Sequence, residues 1–246
     1  MALALTLIAG IFLLVGILLS LISKNKKNLT KFAIGLAFTV LLGMVVFDLI
    51  PEMVEHLESE TFWIRTARII SCLAIGLGSF KIIDRLIPHH HEHNDKSDHN
   101  HLFHIGIVTS IALILHNIIE GIAIYSISLS DVKMGIMMCI GVALHNVPLG
   151  IEIGASLRSQ KGKKINKAIL VIMLTLSTTF GALILNLSNM EINDLVLGSL
   201  IAITLGMVLY LLIFELFKEL LEYRNDKYAL IGAILGIIIV GVSLIV

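Results

Sequence analysis

An all-α integral membrane protein of eight transmembrane helices is the fold this sequence predicts, and three observations predict it. Residues are 57% hydrophobic and only 15% charged, and the apolar ones come in long blocks rather than at amphipathic spacing. The blocks number eight, each near the roughly 20 residues that span hydrocarbon. The basic residues gather in alternate connections, as orientation in a membrane requires. At 246 residues this makes a single membrane domain over 1–246.

The apolar runs are Ala2 to Ser23, Phe32 to Ile50, Ile64 to Ile87, Phe103 to Ser128, Met134 to Leu157, Ala168 to Leu187, Leu195 to Phe217 and Tyr228 to Val246. The first lacks a basic leading segment and an A-x-A-like cleavage site, and reads as a retained helix. Cys72 and Cys139 both lie inside apolar runs, so no disulfide framework is expected. The formal net charge is zero, which gives no sign of a nucleic-acid partner.

All but three of the 18 lysines and arginines fall in odd-numbered loops: around Lys24 to Lys31, Lys81 to Lys96, Arg158 to Lys167 and Lys218 to Lys227. The even-numbered loops hold only Arg65, Arg68 and Lys133. Both termini are therefore expected outside the cytoplasm. Glu52, Glu55, Glu58 and Glu60, with Asp131, Glu191 and Asp194, then form an acidic outer rim. Such a rim either concentrates cations near an entrance or is ordinary solvated charge.

Residues 88–103 form a His-rich cytoplasmic loop containing His89, His90, His91, His93, His99 and His101, with Glu92, Asp95 and Asp98 between them. Imidazole and carboxylate at this density suit loose capture of late transition metals, though such a tract is also compositionally a plain disordered loop.

The spans themselves carry Asp48, Glu120, Glu152, Glu215, His116 and His145. Burying such groups in hydrocarbon is costly unless they face one another, water or an ion, so each is a functional candidate. His116-Asn117-Ile118-Ile119-Glu120-Gly121 and His145-Asn146-Val147-Pro148-Leu149-Gly150 place similar polar clusters near the bilayer midplane of consecutive helices. His116 and Glu120, at i and i+4, share one helix face. Two imidazoles and a carboxylate suit Zn²⁺ or a neighbouring first-row ion, while Asn117 and Asn146 offer weak amide-oxygen ligands or support. Pro148 frees a backbone carbonyl beside His145. The competing reading is that these groups only hold two helices together.

Phe47-Asp48-Leu49-Ile50-Pro51-Glu52 is expected to end the second helix, and Phe214-Glu215-Leu216-Phe217-Lys218-Glu219 the seventh. These similar sequences finish on opposite faces, as in an inverted repeat of three helices on either side of a central pair, a 3+2+3 arrangement. Asp48 then lies near the outer mouth of the bundle and Glu215 near the inner one. Met44, one turn before Asp48, offers a soft sulfur, although packing alone also accounts for it.

The chain resembles the ZIP family of divalent-metal transporters over its whole length. The resemblance rests on eight spans, outside termini, a His-rich third loop and the paired motifs, of which His116 to Gly121 matches the fourth-helix signature in full. It implies a central site between helices four and five with His116, Glu120 and His145 as primary ligands. Asn117 and Asn146 then face a neighbouring second site. Movement of two bundles against each other, and homodimers, are also implied. The departures are Leu149, where the family usually has glutamate, and Thr178-Thr179, where Glu-Pro is common. Loss of both carboxylates predicts one bound metal instead of two. Glu152, seven residues after His145, faces the same way about 10 Å further in, where it serves as an exit-path ligand or merely lines the inner cavity.

The expected function is transport of Zn²⁺, or of Fe²⁺, Mn²⁺ or Cd²⁺, across the cell membrane into the cytoplasm. The ion is substrate, not cofactor, and the protein is not an enzyme. No nucleotide-binding motif is present to supply ATP energy. Because ligating imidazoles must be deprotonated, activity should rise from acidic toward neutral pH. The alternative is a membrane redox protein using His116 and His145 as haem ligands or in a di-iron centre.

Overall fold

The computed structural model describes residues 1–86, 97–158, 164–188 and 192–244. Helix α1 is Ala2–Ile22, α2 Lys26–His56, α3 Phe62–Leu86 and α4 Ser97–Ser130. They are followed by α5 Val132–Arg158, α6 Lys164–Ser188, α7 Asp194–Glu222 and α8 Lys227–Ser243. Six of them, α1, α2 and α4 to α7, hold stretches long and apolar enough to cross a membrane. The exterior suits lipid: Ile70, Ile75, Ile172, Leu230 and Ile237 are exposed.

Short polar residues start several helices. Asn25, Asn193 and Asp226 accept backbone N–H bonds at the heads of α2, α7 and α8.

The stretches expected to end the second and seventh helices do not end them. Helix α2 continues through Pro51 to His56, and α7 runs on to Glu222. Each absorbs one widened π turn where its acid lies, over Val45–Leu49 and Leu211–Leu216. The Ile50 N–H bonds to the Val45 carbonyl and the Phe217 N–H to Leu212, five residues back in each case. In α2 this explains why Pro51 is tolerated. A proline in a regular helix clashes with the carbonyl four residues earlier, and the wider turn relieves that contact.

The helices associate in two groups. Helices α1, α4, α5 and α6 pack together, as do α2, α3, α7 and α8; the groups meet chiefly where α2 and α8 lie on α5 and α4 on α7. Within each group, glycines bring backbones into contact. A Cβ on Gly121 would stand 1.8 Å from the Thr178 carbonyl oxygen, and one on Gly181 would stand 1.9 Å from that of Ile118. Gly150 and Gly16 meet the carbonyls of Leu13 and Val147 in the same way. Gly35 with Gly232 (α2–α8) and Gly76 with Gly206 (α3–α7) repeat it in the second group. At all four crossings each glycine faces the carbonyl three residues before its partner glycine, so only hydrogen fits there. Among the described glycines, every such neighbour belongs to the same group.

Candidate metal centre

Three side chains converge where α4 meets α5. His116 Nε2 lies 2.8 Å from Glu120 Oε1, and His145 Nε2 lies 2.9 Å from the same oxygen. One potential ligand atom from each residue falls within 4.8 Å of the others. His116 is 1% exposed, and Glu120 and His145 8% each, so the donors are withdrawn from the surface. Helical pitch accounts for the first pair, because residues four apart share a face. The small Gly121 accounts for the depth, since it seats α4 directly on α6. On α5, Pro148 leaves the Leu144 carbonyl without its usual helical partner, one residue from His145.

Two imidazole nitrogens and a carboxylate oxygen form a borderline donor set suited to Zn²⁺ and its neighbours. They provide three ligands, one short of a tetrahedron. A haem is not accommodated by this arrangement. The ring centroids of His116 and His145 are 6.2 Å apart, and Glu120 Oε1 lies within hydrogen-bonding distance of both imidazoles, where a porphyrin iron would have to sit.

Of the remaining candidates, some adjoin this centre and others do not. Asn146, fully buried, donates from Nδ2 to the Ala9 carbonyl of α1 at 3.1 Å. Asn117 is fully buried beside His116, and neither of its amide atoms has a hydrogen-bond partner among the described groups. Met44 and Asp48 line a crevice with His145, bounded by Val240 and Ser243 of α8. Glu152 is 1% exposed and accepts a hydrogen bond from Ser156 at 2.9 Å, outside the three-residue cluster. Glu215 is buried in the α7 π turn, also outside the cluster. Leu149, at the position of the missing glutamate, is fully buried. His89, His90, His91 and His93 lie outside the described residues; α4 already begins at Ser97, ahead of the apolar run that opens at Phe103.

Two features escaped the sequence reading. The π turns left one trace, a proline three residues after Asp48 inside an otherwise unbroken apolar helix. The paired crossings left another: Gly16, Gly35, Gly76, Gly121, Gly150, Gly181, Gly206 and Gly232 place one contact glycine on each of the eight helices among the described residues.

Residues 87–244 match the family described as ZIP Zinc transporter. Along almost the whole chain, similar proteins named "Zinc transporter ZupT" occur in bacteria. That of Chlorobium limicola is 28% identical over 99% of this chain and 97% of its own length. That of Oceanobacillus iheyensis is 28% identical over 100% and 97%, and that of Streptococcus mutans 26% over 99% and 96%. With apolar helices long enough to cross a bilayer and a buried His/Glu cluster between two of them, the chain belongs to the ZIP zinc transporter family and is a multi-pass membrane protein.

Proposed function

We propose that this protein carries divalent transition-metal ions, zinc foremost, across the cell membrane into the cytoplasm by way of His116, Glu120 and His145. One observation carries the reading: three buried donor atoms from two helices lie within 4.8 Å of one another, close enough to draw together on a single first-row ion. The relatives' names support zinc as the ion.

In this reading all eight helices cross the bilayer, with both termini outside and two inverted three-helix repeats flanking α4 and α5. The matched π turns of α2 and α7 support the repeat. So do the crossings, since exchanging α1, α2, α3 and α4 for α6, α7, α8 and α5 converts each glycine pair into another. Alternating access then consists of movement of the α1/α4/α5/α6 group against the other. Glycine contacts within each group favour motion as units, and their absence between groups, among the described residues, leaves that interface free to shift.

The crevice containing Met44 and Asp48 is the outer approach to His145. Glu152 and Glu215 belong to the inward path, and Asn117 and Asn146 support the site. The expected metal count is one.

Reconstitution into liposomes loaded with a zinc-sensitive dye tests this directly. Zinc added outside should produce influx. A protein that seals correctly into the vesicles yet admits no zinc is not a zinc transporter.

A further inference from the structure

We propose that the metal ion held by His116, Glu120 and His145 keeps one water ligand, and that a neutral layer of Asn117, Asn146 and Thr178 holds that water. The inference rests on the reading of the triad as the ion's site.

Asn117, Asn146 and Thr178 are each 0% exposed. Among the described groups, both amide atoms of Asn117, Oδ1 of Asn146 and Oγ1 of Thr178 have no hydrogen-bond partner. Buried polar atoms of native proteins are nearly always satisfied, so several orphans in one layer mark a place for a polar guest.

Contacts between the helices put them in one layer. Asn117 lies one turn before Gly121, whose Cα rests on the Thr178 backbone. Asn146 reaches the Ala9 carbonyl of α1. The next residue, Gly10, rests on Thr175, one turn before Thr178 in α6. Helices α1, α4, α5 and α6 thus enclose the flank of the triad.

The chemistry of the layer selects its guest. Its amide N–H and hydroxyl can donate while its oxygens accept, which water satisfies and a bare cation does not. It carries no charge of its own, so the repulsion between two neighbouring divalent ions would be offset by little more than the single Glu120 carboxylate. A tetrahedral ion with three protein ligands has one corner left, and water there can be steadied by neighbouring amides and hydroxyls.

Co²⁺ loaded into the purified full-length protein in lipid nanodiscs tests the assignment. Wild type should bind one Co²⁺ per chain. In water whose oxygen carries a nuclear spin, the metal's electron resonance should show coupling to that oxygen. Thr178→Val and Asn117→Leu should weaken Co²⁺ binding about tenfold, and Thr178→Ser should restore it.

Two Co²⁺ per wild-type chain, or no oxygen coupling despite binding that His116→Ala abolishes, would overturn the retained water while leaving the triad intact. Unchanged affinity in both Thr178→Val and Asn117→Leu would do the same. Binding that ignores His116→Ala would overturn the triad, and the water with it. The wild-type resonance decides the question even where a variant folds poorly.

Discussion

Glu120 and His145, 25 residues apart in sequence, meet at 2.9 Å through Oε1 and Nε2, and His116 Nε2 approaches the same oxygen at 2.8 Å. One carboxylate oxygen therefore faces two imidazoles on different helices. A group so placed links α4 to α5 as well as offering charge to a cation. The two roles separate in Glu120→Gln, which keeps shape and an acceptor oxygen but removes the charge. Zinc uptake by His116→Ala, His145→Ala and Glu120→Gln should fall by more than about tenfold, a loss that even groups behind the ligands can produce. Glu120→Gln should melt close to wild type. Normal uptake in all three would remove the triad from the transport path.

The glycine crossings give a stability prediction with an internal control. Gly121→Ala forces a methyl to 1.8 Å from the Thr178 carbonyl oxygen, and Gly150→Ala forces one to 2.2 Å from that of Leu13. Backbone on both sides must move apart, which should destabilise the protein by about 1–3 kcal/mol each. Gly141, on the same helix as Gly150, has nothing within 4 Å of its Cβ position. Gly141→Ala should be neutral or stabilising by up to about 1 kcal/mol, because alanine is the better helix former. Thermal unfolding in detergent would show the contrast; equal melting of Gly121→Ala and Gly141→Ala would contradict it.

What the sequence made legible follows from which forces leave a mark in composition. Hydrocarbon demands long apolar runs, so the six long apolar helices among the described residues were readable from hydropathy. Helical pitch demands that His116 and Glu120 share a face, so their pairing was readable from spacing. That His145 closes on the same carboxylate oxygen depends on how α4 and α5 pack, and the repeated motif hinted at it without fixing the geometry. The π turns at Asp48 and Glu215 were hidden, because one extra residue in a turn changes neither hydropathy nor charge. The stretch from Phe47 to Glu52 is consequently expected to end the helix, whereas the wider turn lets the helix pass through Pro51. The glycines were visible individually, but their pairing is a property of contacts between chain segments far apart in sequence.

Leu149 supports a gain-of-site experiment. It follows His145 by four residues, as Glu120 follows His116, so a carboxylate there would share the face of His145. The position is fully buried, and a lone charge would be strongly disfavoured without a cation. Leu149→Glu should therefore lower the stability of the metal-free protein and raise bound zinc from one ion per chain toward two. Metal analysis of the purified protein after zinc loading measures the count. A variant that folds well and still holds one ion would show that the missing carboxylate does not limit the stoichiometry.

Away from the centre, Lys31 of α2 donates a hydrogen bond to Asp226, which also accepts the Tyr228 backbone N–H at 2.9 Å as the N-cap of α8. The Lys31 hydrogen bond, followed by the backbone one, holds the Asp226 carboxyl below its ordinary value. A depressed carboxyl contributes stability that is complete above its unfolded value, about 4, and is lost as pH falls through the lower folded value. Acidification from neutrality to about pH 5 should therefore leave this contact intact. Asp226→Asn keeps a cap acceptor but loses the ion pair, so it isolates a partly exposed salt bridge that is worth little. Asp226→Ala removes the cap as well and should melt distinctly lower. Neither should alter zinc uptake at saturation, because Asp226 lies outside the triad. If Asp226→Asn melts as low as Asp226→Ala at neutral pH, the ion pair rather than the cap holds α8 to α2.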